Sequence, residues 1–321
     1  MLTNLINEAA KGTWGAVDSL LILKDNKLVL ESYFRGNQWD KPHELRSLTK
    51  SLLSAGYGAA VSLKLIPSVD VSVYEVFEHA SRFDNPHPEK RLMTFAHVMT
   101  MTAGLACEDM SSPTNPCGSR LFASTMPWQS KLEIPIWQRA LNLPLANMPG
   151  TVFAYNDAAP VIIDGLLSGL AHRETTDFLR MVLFRPMKIG DRSSLFRLTS
   201  RDLIKFGQLY LSGGAWNGKR LLPKSWVEES TSVKWQFAGM PPGTGYGYFW
   251  WISGVDINGK REKIFYALGN GGQAIFVVPT LQLVFVTTAT NFDRYDLFRG
   301  PLEMLKQFVI PAFSAQLTTP K

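Results

Sequence analysis

A serine hydroxyl and a lysine amine stand three residues apart in Arg46-Ser47-Leu48-Thr49-Lys50-Ser51, the one Ser-x-x-Lys in the 321-residue chain. Leu48, Leu52, Ala55, Ala59 and Leu63 recur at helical spacing, with Ser54, Gly56, Gly58 and Ala60 between them. The pattern predicts a buried helix over 48–65. Residues three apart share a helix face, so Ser47 and Lys50 would present their polar groups side by side at its first turn. The N–H of Ser47 would be one of the unpaired amides there, where partial positive charge collects. A hydroxyl, an amine and an exposed amide donor are the parts of an acyl-transfer site. The competing reading is a helix that starts on a serine and carries a solvated lysine. About one such tetrapeptide arises by chance in a chain this long, so other residues must decide.

The elements that would position this pair are set by the hydrophobic patterning. Residues 17–24 and 27–34 read as strands around an Asp25-Asn26 turn. Helices are expected over 95–101, stopped by Gly104, and over 158–170, 175–184 and 200–211, the last with Ser200 as its N-cap. Strand patterns return over 246–252, 263–268, 274–278 and 283–288, with a turn at Pro279-Thr280, and a final helix is expected over 294–308. Strands at both chain ends imply an α/β (α+β) fold: one antiparallel sheet completed by both termini and flanked by helices, with a mostly helical region inserted. The expected division is 1–60 with 241–321 as the sheet domain and 61–240 as the helical domain.

Composition narrows the function. Hydrophobic content of 45% and charged content of 19% describe a globular protein, and the net charge of +6 is scattered. No run of Lys and Arg exceeds two residues, which argues against nucleic acid as a partner. No stretch of eighteen apolar residues offers a membrane span. The amino terminus lacks the basic start and apolar stretch of a signal peptide, which fits a chain kept inside the cell or one already trimmed. Cys107 and Cys117 would close a small loop in an oxidising compartment and remain two thiols in a reducing one. The five histidines are scattered, no His-Glu-x-x-His occurs, and no metal or other cofactor is expected. Gly243-Thr244-Gly245-Tyr246-Gly247 neither follows a strand nor opens a helix, so it is no dinucleotide fingerprint. His97, set among Thr94, Phe95, Val98 and Met99, reads as structural.

Free lysine and tyrosine both titrate near 10, so neither alone is a ready base at neutral pH. Placed together they change: the lysine charge favours a phenolate, and desolvation favours the neutral amine. Tyr155 is the candidate third member, in a loop from Met148-Pro149-Gly150 to Asn156-Asp157 that leads into a helix, although most tyrosines are core residues with a satisfied hydroxyl.

With these residues assembled, the chain resembles the serine β-lactamase and penicillin-binding-protein superfamily, particularly the class C-like branch with its family VIII carboxylesterases and 6-aminohexanoate-dimer hydrolases. The matches run in order. They are the Ser47–Lys50 helix start, the segment 95–105, Pro149-Gly150 through Tyr155-Asn156-Asp157 at the Tyr-x-Asn position, the segment 201–211, and Tyr246-Gly247-Tyr248-Phe249-Trp250-Trp251. The last is Gly269-Asn270-Gly271-Gly272-Gln273, at the strand that normally carries Lys-Thr-Gly. The resemblance implies Ser47 as nucleophile, Lys50 with Tyr155 as general base, and the backbone N–H groups of Ser47 and Asn270 as oxyanion hole. It implies Asp157, Gly269, Gly271 and Trp251 as the substrate's neighbours.

The departures from the family pattern bear on the substrate. Ala267-Leu268-Gly269 replaces Lys-Thr-Gly, removing the cation and hydroxyl that grip a β-lactam or peptide carboxylate, and Asp157 replaces the motif's asparagine. The span 189–198 is short for the family, so one wall of the cleft is expected to be cut back. The expected activity is hydrolysis of a small-molecule carboxylic ester through an acyl-enzyme, with Trp128, Trp137, Phe249, Trp250 and Trp251 as apolar candidates for the acyl pocket. Amide hydrolysis by the same groups is one alternative, and a non-catalytic binding protein on the same fold is the other.

Overall fold

The computed structural model describes residues 1–77, 83, 85, 87–110, 117–122 and 134–314. The chain divides into two compact units, residues 1–52 with 179–321 and residues 53–178.

The first unit is built on an eight-stranded sheet. Its strands are β1 (Val17–Lys24), β2 (Lys27–Tyr33), β3 (Trp235–Gln236), β4 (Gly245–Tyr246), β5 (Trp251–Ile257), β6 (Lys260–Gly269), β7 (Gln273–Val278) and β8 (Leu283–Ala289). Their order is β2-β1-β8-β7-β6-β5-β4-β3, and every neighbouring pair is antiparallel. The first strand of the chain therefore pairs with the last, with Leu21 opposite Val286, and both termini complete one sheet as expected. The β1–β2 turn has Asp25 at φ 49° and Asn26 at φ 60°. Left-handed turns of this kind match the strand twist, and Asn and Asp tolerate them.

Both faces of the central strands are covered, which is why 274–278 in β7 and 283–286 in β8 read as unbroken apolar runs. On one face Leu20, Ile22, Phe276 and Phe285 pack with Leu5, Trp14, Leu305 and Phe313 from the terminal segments. The helix Leu2–Lys11 that contributes Leu5 is an addition to the expected elements. The final helix starts later than 294: Gly300–Met304 continues through a wider turn at Leu305–Val309 into Ile310–Ser314, with Pro301 in its first turn. Proline has no N–H to lose there, so it favours a helix start.

The other face receives the helix Ser200–Leu211. Its N-cap is Thr199 rather than Ser200, because the Thr199 hydroxyl accepts the Asp202 N–H while the Asp202 carboxylate accepts the Thr199 N–H. Gly207 sits where a methyl group would lie 2.4 Å from Val284 Cγ1 and 2.9 Å from Ile275 Cγ2, so glycine sets how closely this helix meets the sheet. The strand expected over 246–252 is interrupted between β4 and β5. Gly247 passes so near Ser230 that a methyl would lie 2.2 Å from its carbonyl oxygen, and Phe249 takes φ 60°.

The second unit is helical. Ile136–Leu141 packs on Ala158–Ala171 through Gly165, over which the Trp137 ring lies, and Trp137 also stacks on Phe77 with centroids 4.4 Å apart. Phe95–Met99 is capped by Thr94. Cys107 and Cys117 are joined as a disulfide, which resolves the choice the spacing left open. Among the described residues no helix is long and apolar enough to cross a membrane.

Two helical glycines should respond oppositely to alanine. Gly207→Ala forces overlap in a packed layer and should lower the urea-unfolding free energy by about 1–3 kcal/mol. Gly169, in Ala158–Ala171, has nothing within 4 Å of an added methyl, so Gly169→Ala should raise it by about 0.5–1 kcal/mol.

Candidate active site

Ser47 lies at the centre of a single tight turn, Arg46–Leu48, that runs directly into the helix Thr49–Ser62. The Leu48 N–H closes this turn on the Leu45 carbonyl at 3.2 Å. Lys50, 3% exposed, donates from Nζ to Ser47 Oγ at 3.0 Å. Every position from 51 to 60 is buried, so small residues dominate and Lys50 is the helix's one charged side chain. Arg46 adopts φ 51°, a conformation unfavourable for a side chain with a Cβ. It is held there by an ion pair to Glu44 Oε1 at 2.8 Å and by its guanidinium lying 4.8 Å above the Phe292 ring.

The neighbouring segments brace the turn with main-chain groups. Leu45 N–H donates to the Phe196 carbonyl at 2.9 Å, Thr49 Oγ1 to the Leu195 carbonyl at 3.2 Å, and Ser51 Oγ to the Phe249 carbonyl at 2.7 Å. The short span 189–198, expected only as a reduced wall, thus supplies two of the acceptors that fix the serine turn. The buried Asp18 and His43 add a brace that the motifs did not indicate. His43 Nε2 lies 3.1 Å from Asp18 Oδ2, and its Nδ1 lies 3.0 Å from the Glu44 carbonyl.

The end of β6 meets this turn at Gly269, where a methyl group would lie 2.1 Å from the Leu45 carbonyl oxygen. Only glycine permits that approach. Gln273, paired across the hairpin from Gly269, donates to the Glu44 carbonyl at 2.9 Å and ties the same segments together. Asn270 and Asp293 lock the loop after β6: Asn270 Nδ2 donates to Asp293 Oδ1 at 2.8 Å, and the Asp293 N–H donates to Asn270 Oδ1 at 2.9 Å. Gly271, at φ 109°, passes against Phe292. Ser47, Lys50, Gly269, Asn270 and Gly271 are therefore all built into one unit. Ala267, 1% exposed, pairs with Ile275 on the strand face that Gly269 shares, whereas Leu268, partly buried, packs against the apolar core on the other face.

Tyr155 and Asp157 belong to the other unit. Their segment has no regular secondary structure and is held by main-chain bonds. Gly150 N–H donates to the Thr102 carbonyl at 2.8 Å, Ala154 N–H to the Met101 carbonyl at 2.8 Å, and Asp109 N–H to the Tyr155 carbonyl at 2.9 Å. Asp157 stands at the N-cap of the next helix without a side-chain cap bond, and Asn156 before it supplies one instead, its Oδ1 accepting the Ala159 N–H at 2.8 Å. His97 is structural here. Its Nδ1 accepts the Thr94 N–H at 3.3 Å, burial holds its pKa below the usual imidazole value, and a methyl at Gly150 would lie 2.9 Å from its Nε2. Asp109 is the residue here that no sequence motif marks; an aspartate two positions after a cysteine carries no pattern that would single it out.

The aromatic candidates separate by packing. Phe249 and Trp250 are fully buried, and Trp250 stacks among Phe206, Tyr210 and Phe265. Trp251 is half-buried against Tyr246 and Phe237 and pairs across strands with Tyr266. Trp137 is helix packing, and Trp128 lies outside the described residues.

Comparison with known proteins agrees with this architecture. A Bacillus anthracis protein described provisionally as a 6-aminohexanoate-dimer hydrolase superposes with a TM-score of 0.76 at 18% identity, over 100% of this chain and 83% of its own. A D-stereospecific amidohydrolase from Streptomyces gives 0.69 at 14% identity, over 93% and 98%. A class C β-lactamase from Rhodobacter sphaeroides gives 0.69 at 12% identity, over 96% and 99%. At these identities the likeness establishes the fold. The beta-lactamase family model matches residues 2–305, and the chain belongs to that family of serine hydrolases.

Proposed function

We propose that this chain cleaves carboxylic esters through an acyl-enzyme on Ser47. The observation that carries the reading is the bond from the buried Lys50 amine to Ser47 Oγ at 3.0 Å. With Lys50 donating to Oγ, the serine's own proton is directed to another acceptor. Tyr155, by its place in the family's Tyr-x-Asn position, is assigned as that acceptor. Ser47 Oγ attacks the ester carbonyl carbon, and its proton passes to the Lys50–Tyr155 pair. The tetrahedral oxygen is received by the N–H groups of Ser47 and Asn270. Donors fixed before charge develops lower such barriers by about 3–4 kcal/mol each. The departing alkoxide takes the proton back, and water then releases the acid by the same route in reverse.

The ester preference rests on what flanks Gly269. A buried methyl at Ala267 and the partly buried aliphatic side chain of Leu268 offer no ammonium or hydroxyl to a substrate carboxylate. Alcohols are also better leaving groups than amines, so an ester asks less of the remaining machinery. Amide hydrolysis is the second reading. It is favoured by the amidohydrolase among the structural neighbours, and it uses the same nucleophile and base.

Two outcomes test this. Ser47→Ala should lower p-nitrophenyl butyrate turnover by about a thousandfold or more and abolish fluorophosphonate labelling, judged by intact mass. Wild-type turnover in that variant would remove the assignment. Nitrocefin and a D-alanyl amide, assayed beside the ester, should give kcat/KM values lower by about 100-fold, roughly 2.7 kcal/mol in the barrier. The reverse order would establish the amide reading.

A further inference from the structure

Asp109, two residues past Cys107, reaches both flanks of the Tyr155 motif. Asp109 Oδ1 accepts the Gly118 N–H at 2.7 Å, just past the second cysteine, and Oδ2 accepts the Asp157 N–H at 2.7 Å. The Asp109 N–H donates to the Tyr155 carbonyl at 2.9 Å. One amino acid thus grips the main chain on either side of Asn156 and anchors itself to the cystine arm. The two sulfurs are buried, with Cys107 3% and Cys117 2% exposed. Gly118 is pressed so closely on the motif that a methyl there would lie 2.7 Å from Asp157 Oδ2 and 2.8 Å from Asp157 Cβ.

This arrangement does more than fill space. Residues 152–156 have neither helix nor strand to hold them, so the direction in which Tyr155 leaves the main chain is set by a few bonds. Met101 and Thr102 hold the segment before the tyrosine, and Asp109 holds the tyrosine itself and the main chain at Asp157. A carboxylate is suited to this because it accepts at both oxygens and donates at neither. Charge-assisted bonds of this kind are shorter and stiffer than neutral ones. An asparagine would present an NH₂ group to one of the two N–H donors and lose that side of the grip.

We propose that Asp109 is a positioning residue for Tyr155 and that the Cys107–Cys117 bond holds it in that role, so that hydrolysis depends on the oxidised cystine. The proposal rests on the reading of Tyr155 as part of the general base. Reduction by a water-soluble phosphine supplies the chemistry of the switch. The S–S bond breaks, two S–H bonds form with protons from water, and the phosphine leaves as its oxide carrying the water oxygen.

The test is a double-mutant cycle on p-nitrophenyl butyrate hydrolysis with wild type, Asp109→Asn, Tyr155→Phe and the double variant. Misplacing a catalytic group by an ångström lowers rates by about 100-fold. Asp109→Asn should therefore lose about 10- to 100-fold in kcat with KM within about threefold of wild type. The double variant should be no slower than Tyr155→Phe alone, because Asp109 acts only through the tyrosine. Multiplying losses, or an unchanged kcat in Asp109→Asn beside an inactive Tyr155→Phe, would overturn the positioning role while leaving the hydrolase reading intact. A Tyr155→Phe variant as fast as wild type would instead remove Tyr155 from the base, and the positioning role with it. Phosphine-treated wild type, its two new thiols confirmed by mass and its folding by circular dichroism, should lose kcat by the factor seen in Asp109→Asn and regain it on reoxidation. Should Asp109→Asn fail to fold, this arm decides alone: full kcat in the reduced protein refutes the proposal.

Discussion

Burying a lysine amine is costly unless its N–H groups find acceptors, and that cost governs the design around Ser47. Lys50 is almost wholly withdrawn from water and gives one of its hydrogens to the serine oxygen. The surrounding positions accommodate this by being small. Ser51, Ser54, Ala55, Gly56, Gly58, Ala59 and Ala60 let other elements pack on all sides of the helix without a second charge. The same constraint explains why the serine turn is braced from so many directions. A turn free to shift would separate the serine oxygen from the buried amine. Leu195, Phe196 and Phe249 supply carbonyls to it, Gln273 ties its approach to the sheet, and Gly269 brings β6 within contact of Leu45.

Much of this was legible in the residues. The Asp25-Asn26 turn, the pairing of both chain ends in one sheet and the apolar centre of that sheet derive from turn chemistry and strand patterning, and the structure has all three. What the patterns missed has identifiable physical causes. The helix Leu2–Lys11 has its apolar residues at Leu2, Leu5, Ile6 and Ala9, a spacing open to inspection but too short to be conclusive without the sheet it covers. The break between β4 and β5 depends on Gly247 meeting Ser230, a tertiary contact that no local period encodes. Thr199 outcompeted Ser200 as cap because the reciprocal bond needs the acid three residues on, and Asp202 is at that spacing only from Thr199.

The candidate site divides in the same way. Ser47, Lys50 and Gly269 are visible because their chemistry depends on residue type at fixed local spacing. Asp109, Asp18 and His43 are invisible because their partners are main-chain groups or lie far along the chain. The cystine is intermediate. Its spacing permitted a bond, but the choice between thiols and disulfide depends on geometry, and the Cα atoms stand 5.1 Å apart, within the range a disulfide needs.

The substitutions in the third motif have a structural logic of their own. Strand alternation puts Ala267 and Gly269 on one face of β6 and Leu268 on the other, so the two changes from Lys-Thr-Gly act separately. Leu268, partly buried, packs against the apolar layer on the other face. Where the family pattern has lysine, Ala267 puts a buried methyl group on the face that Gly269 shares, at the strand end that meets the serine turn. A lysine at position 267 would instead offer its ammonium to an anionic substrate group. Without it, the proposed ester hydrolysis would rely on shape and apolar contact for substrate binding, with the proposed oxyanion donors carrying the polar recognition. On the proposed ester reading, a neutral acyl group would suit that face better than one bearing a carboxylate, because position 267 supplies no cation to meet it.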